Sequence, residues 1–163
     1  MLILVLLAHL VCLRAPVSAN CVVKHVEPII TPLAVLDDAY QVVAALLDSS
    51  NSYVDVAYGG QADNRIMVLT RTAIGGWNAP VMVDNTEDHP LFMIAHDVDL
   101  DSSPDLVVPY RSSDNVVIYR NVGWDASFGA AKIILVPSDA DADPYGVAVG
   151  DINGDSLLDL LVA

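Results

Sequence analysis

Two nine-residue stretches, DVDLDSSPD from Asp97 and DINGDSLLD from Asp151, set acidic or amide oxygens at the same positions: one, three, five and nine. Each runs directly into apolar residues, Leu106-Val107-Val108 in one case and Leu160-Leu161-Val162 in the other. A loop plus a short apolar strand cannot bury its own apolar face, so its recurrence 54 residues later points to stacked units sharing a core. The residues leading in repeat as well. Asp88 to His96 superposes on Ala142 to Gly150, with Pro90 on Pro144.

A second comparison, at an offset of 51, places Asp63 to Leu69 on Asp114 to Arg120 and Trp77-Asn78-Ala79-Pro80 on Phe128-Gly129-Ala130-Ala131. An earlier unit therefore precedes the two acidic loops. Its own loop, LDSSNSYVD, ends at Asp55 but has Leu47 for the first acid and Ser49 for the second, so it is expected to hold no metal. Within a unit the local signals are short β runs, Val116-Val117-Ile118-Tyr119 and Ile133-Ile134-Leu135-Val136 among them, separated by Gly, Asn, Asp, Ser or Pro. The segment Asp38 to Leu47 has a trace of helical period, but Tyr40 aligns with Tyr145 of the later unit, and the segment reads as strand. Several short strands in about 50 residues suit a four-stranded propeller blade. The expected fold is all-β, a partial β-propeller of four-stranded antiparallel blades with two to three units.

Charge narrows the partners. The chain carries a net −14 with only seven Lys and Arg, which excludes the basic face that a nucleic-acid phosphate backbone requires and makes a cation the natural partner. With 54% apolar residues the chain has ample material for a core.

The first residues, MLILVLLAHLVCLRAPVSA, form an apolar run from Leu2 to Leu13 followed by Arg14, Pro16 and the small-residue site Val17-Ser18-Ala19. This reads as a secretory signal peptide over residues 1–19, cleaved after Ala19, leaving a secreted mature chain from residue 20. The run is too short for a membrane span, which needs roughly 20 apolar residues. Cys12 would leave with the signal, and Cys21 alone makes no internal disulfide.

The ligand set follows from the spacing. Around one Ca2+ the first loop offers the carboxylates of Asp97, Asp99, Asp101 and Asp105 and the carbonyl of Ser103. The second offers Asp151, Asn153, Asp155, Asp159 and the carbonyl of Leu157. Hard oxygens at alternating positions suit calcium, whereas zinc prefers His and Cys. Four crowded carboxylates without a cation would repel one another. An EF-hand begins with the same spacing but needs a bidentate Glu at position twelve, where this chain has Val108 and Val162. Asp139, Asp141 and Asp143 repeat the alternation with Val147 in the ninth place, and read as a solvated loop. No catalytic residue is expected. His25, His89 and His96 are isolated from one another and belong to no catalytic motif, His96 standing next to an acidic loop, and Ser102-Ser103 and Ser112-Ser113 lack a Gly-x-Ser-x-Gly setting.

These residues resemble the FG-GAP or VCBS repeat of integrin α-chain propellers and many secreted proteins. The pattern, an acidic loop, an apolar strand, a second strand and an aromatic-Gly-x-Ala element, is met by Asp97 to Asp105, Val107-Val108-Pro109-Tyr110, Val116 to Asn121 and Phe128-Gly129-Ala130-Ala131. The resemblance covers residues 20–163, most completely from Pro90 onward. It implies a calcium-binding module for adhesion or ligand binding, with an extracellular protein or carbohydrate as partner and no catalysis of its own. Such repeats also accompany polysaccharide lyase and phospholipase activities, so the alternative is the propeller portion of an extracellular enzyme whose catalytic residues lie elsewhere. Two departures matter. Position six of the loop, Gly in the family because the backbone turns there with positive φ, is Ser102 and Ser156, which is expected to weaken the metal. Closed propellers need roughly four to eight blades, so the repeat array is expected to be incomplete at its C-terminal end or to be completed by further chains.

Overall fold

The computed structural model describes residues 5–12, 21–29, 39–122, 126–135 and 142–163, with side chains for 40–122, 126–128 and 142–163. Short apolar runs broken by Gly, Asn, Asp and Ser give the strands β1 (Val5–Cys12), β2 (Cys21–Ile29), β3 (Ala39–Ala45), β4 (Asp55–Gly60), β5 (Arg65–Leu69) and β6 (Val81–Asp84). They continue as β7 (Ile94–His96), β8 (Asp105–Tyr110), β9 (Asn115–Asn121), β10 (Phe128–Leu135), β11 (Val147–Gly150) and β12 (Asp159–Val162). All named pairings are antiparallel, and the described residues contain no helix.

The chain divides into two units, Met1–Val35 and Leu36–Ala163. In the first, β1 and β2 form a hairpin in which Val5 faces Ile29 and Cys12 faces Cys21. The cleavage site expected after Ala19 lies outside the described residues, as do Asp139 and Asp141.

The second unit is a series of blades. Strands β3-β4-β5-β6 make one four-stranded meander, β7-β8-β9-β10 a second, and β11-β12 pair as the first hairpin of a third. This is the partial propeller of four-stranded antiparallel blades expected from the repeat, with no sheet closed into a barrel. Within the stretch that has a trace of helical period, Ala39–Ala45 form β3 as strand, paired from Val42↔Tyr58 to Ala45↔Asp55.

The structure moves the equivalence of the first two blades by one residue. Gly60 pairs with Arg65 and Tyr110 with Asn115, each across a four-residue turn that ends in a left-handed residue, Asn64 (φ 54°) or Asp114 (φ 50°). Asn64 therefore matches Asp114, an offset of 50. The Asp-Asn pairs at 63–64 and 114–115 look alike in sequence but stand one step apart in the turn. Asn and Asp tolerate that conformation because a short polar side chain bonds locally. Trp77 and Phe128 remain equivalent: Trp77 bridges Arg71 and Phe128 pairs with Asn121, with one more residue in the later connection.

Strand alternation explains how the blades stack. From β8 and β9, Leu106, Val108, Tyr110, Val117 and Tyr119 pack with Ala57, Ile66 and Val68 of the first blade. Their sequence neighbours Val107, Val116 and Ile118 turn the other way, against Val147, Val149 and Leu160 of the third sheet. The second blade is thus covered on both faces, and β8 is buried along its whole length. At about 1.5–3 kcal/mol for each fully buried large aliphatic or aromatic side chain, this two-sided burial is the main force holding the blades in order.

Candidate metal loops

Each blade opens with a hairpin whose loop carries the expected positions: residues 47–55 between β3 and β4, 97–105 between β7 and β8, and 151–159 between β11 and β12. The ninth position is the first residue of the following strand: Asp55, Asp105 or Asp159. Asp55 and Asp105 are wholly buried. Oδ2 of Asp105 accepts the N–H of Val98 at 3.0 Å and Oδ1 accepts that of Asn121 at 2.9 Å. Asp55 does the same with Asp48 at 2.8 Å and Arg71 at 2.7 Å. Oδ2 of Asp159 accepts from Ile152 at 2.9 Å. The ninth carboxylate thus ties the start of its loop and, in the two complete blades, the end of the third strand.

Burial pushes the carboxyls of Asp55 and Asp105 above their ordinary range, while the backbone N–H groups pull the other way. For Asp105 the charges of Asp99 and Asp101 add to the rise. A loop arranged this way favours a counter-cation.

The two acidic loops share one hydrogen-bond pattern. Asp97 accepts the N–H groups of Asp101 (3.0 Å) and Ser102 (2.9 Å), and Asp151 accepts those of Asp155 (3.1 Å) and Ser156 (2.9 Å). At the fifth position Asp101 and Asp155 accept from Ser103 and Leu157, both at 2.8 Å. Each carboxylate caps an amide further along, which curls the loop. Ser102 and Ser156 have φ 76° and 68°, the left-handed backbone expected at position six. Position four is left-handed too, at Leu100 (φ 62°) and Gly154 (φ 81°). The sequence reading missed this second turn, although Gly154 was its signal.

Asp97, Asp99 and Asp105 each place a carboxylate oxygen within 4.8 Å of the others. Among the described residues they are the one such group, so Asp101 and the acids of the third loop are not drawn as close. Three convergent carboxylate oxygens are a hard donor set, and it fits a divalent cation of the calcium type. A guanidinium also reaches the trio. Arg120, near the end of β9, donates from Nη2 to Oδ2 of Asp99. Sequence spacing gave no hint of this pair, because the hairpin of β8 and β9 is what brings residue 120 back over residue 99.

The first blade solves the same problem differently. Leu47 stands where the first acid would be and is buried in the core. Asn51 donates to the carbonyl of Arg71 at 3.1 Å, and the Arg71 guanidinium lies 4.5 Å from the Trp77 ring and 5.3 Å from that of Tyr53. A cation held between two aromatic faces thus clasps this loop to the segment just after β5.

Other singled-out residues have simpler places. Phe128 packs against the core between blades, and Tyr145 meets Phe92 (5.2 Å between ring centres), which meets Tyr40 (5.7 Å). Asp143 forms an exposed ion pair with Arg111 at 3.4 Å.

Residues 97–162, from the first acid of the second blade into β12, match the family model of the FG-GAP-like repeat. The chain finds no match among curated proteins and none among solved structures.

Proposed function

We propose that the chain is a secreted, calcium-stabilised propeller-repeat module that binds an extracellular protein or carbohydrate and performs no catalysis of its own. The observation that carries the reading is the convergence of Asp97, Asp99 and Asp105 within 4.8 Å, inside a segment that matches the FG-GAP-like repeat. Calcium would be held by these three carboxylates, with Asp101 and the carbonyl of Ser103 completing the shell. Asp151, Asn153, Asp155, Asp159 and the carbonyl of Leu157 would hold a second ion. The ion's part is structural: it neutralises the acids and pins the first two strands of its blade. Support for secretion comes from the Leu2 to Leu13 run and the small residues ending at Ala19.

The test is thermal unfolding of the full chain with calcium and with EGTA. At a calcium level about a hundredfold above Kd, linkage gives roughly 2.7 kcal/mol, a rise in melting temperature of roughly 5–10 °C for a domain of this size. Magnesium, which demands tighter octahedral geometry, would substitute poorly. An unchanged melt would refute the metal, and a secreted product still beginning at Met1 would refute the cleaved leader.

A further inference from the structure

The structure assigns to Arg120 the part of an internal cation that sets the calcium affinity of the second blade's loop, bound to Asp99 without metal and released when calcium enters. This rests on the calcium reading of that loop. The guanidinium takes an oxygen of the same carboxylate that the metal needs, and Asp99 is one of the three acids that converge. Guanidinium and metal therefore compete for Asp99, and a residual positive charge beside a bound divalent ion repels it.

Charge matching between the loops supports the assignment. The second blade's loop has four carboxylates, Asp97, Asp99, Asp101 and Asp105, whereas the third has three, because Asn153 stands where Asp99 does. Arg120 brings the richer loop down to the same net charge. The first blade shows the pair missing together: at the offset of 50, Asp99 corresponds to Ser49 and Arg120 to Thr70. Neither occurs without the other in these two blades, as expected of a balancing pair. Arg120 also has its backbone fixed beside the loop, since the next residue, Asn121, donates to Asp105. Its side chain reaches Asp99 from a strand rather than from a mobile segment.

The experiment is a calorimetric calcium titration of the full chain carrying Asp151→Ala, which silences the third loop and leaves the second as the site observed. Arg120→Met, which keeps the aliphatic stem, is expected to tighten calcium about tenfold in low salt. Adding Asp99→Asn to Arg120→Met, which recreates the charge of the third loop, is expected to bring affinity back to within about threefold of the parent. If Arg120→Met leaves affinity unchanged or weakens it while the parent binds calcium, the assignment to Arg120 is overturned and the metal site stands. If the parent itself takes up no calcium, the calcium reading falls, and the proposal with it. A readout independent of the variants' folding is the guanidinium NMR signal of Arg120 in the parent. It should lose its carboxylate-bonded signature on adding calcium, and an unchanged signal also overturns the proposal.

Discussion

Asn121 donates its backbone N–H to Oδ1 of Asp105 at 2.9 Å, and with its side chain it reaches the carbonyl of Leu47, in the preceding blade, at 2.8 Å. One wholly buried residue thus couples the acidic loop, the end of β9 and the neighbouring blade. Arg71 makes the corresponding backbone bond to Asp55 in the first blade, so the tie belongs to the blade architecture whether or not a loop keeps its acids.

Asn121→Ala, which keeps the backbone N–H bond to Asp105, should therefore destabilise the chain without altering any proposed metal ligand. It strands the buried carbonyl of Leu47, a loss of about 1–3 kcal/mol that urea denaturation at fixed calcium would register. A change below about 0.5 kcal/mol, the range of ordinary surface substitutions, would contradict the bridging role.

Tyr58 presents the opposite case. It is buried, its hydroxyl has no hydrogen-bond partner among the described residues, and burial pushes it up to about 12. Tyr58→Phe removes that unpaired group and keeps the ring, so the expected result is a gain of up to about 1 kcal/mol in a denaturation midpoint. A clear loss would show that the hydroxyl is bonded in solution.

Leu100 sits at φ 62°, a left-handed conformation that costs a side chain such as leucine roughly 1 kcal/mol or more, and the third loop has Gly154 in that place. Leu100→Gly is expected to stabilise the calcium-free chain by up to about 1 kcal/mol, because glycine adopts the turn without that cost. Thermal unfolding in EGTA measures it, and a drop in melting temperature would contradict the account of the turn.

Asp55 provides a pH signature in the loop that lacks the first two acids. Its carboxyl is held above the ordinary value of 3.8, chiefly by burial, so the folded chain binds this proton more tightly than the unfolded chain. The associated stability is fully present below pH 3.8 and is lost as pH rises through the raised folded value. Comparing wild type with Asp55→Asn, the wild type should lose ground steadily over that window. A difference that does not vary with pH would contradict the raised value.

Much of this was legible in the residues. Turn residues and apolar alternation marked the strands, and the doubled acidic loop marked both the unit and the sites where carboxylates gather. What escaped depended on contacts across strands and blades. The Asp-Asn dipeptides at 63–64 and 114–115 invited an offset one residue too long, because a four-residue turn and not the dipeptide sets the register. Arg120 is 21 residues from Asp99, and only the β8–β9 hairpin joins them. Leu47 read as a lost ligand, yet it fills the core between blades, and Arg71 between Tyr53 and Trp77 was invisible without the fold.

Hydrogen exchange tests the central claim, that calcium pins the acidic loops and only those. The amides of Asp101, Ser102 and Ser103, and of Asp155, Ser156 and Leu157, bond to proposed ligand carboxylates, while Ser50 and Tyr53 make similar turns in the loop without the first acids. Calcium should slow exchange in the two acidic loops by about tenfold or more relative to EGTA and leave residues 48–53 unchanged. No slowing in either acidic loop, or equal slowing at 48–53, would contradict it.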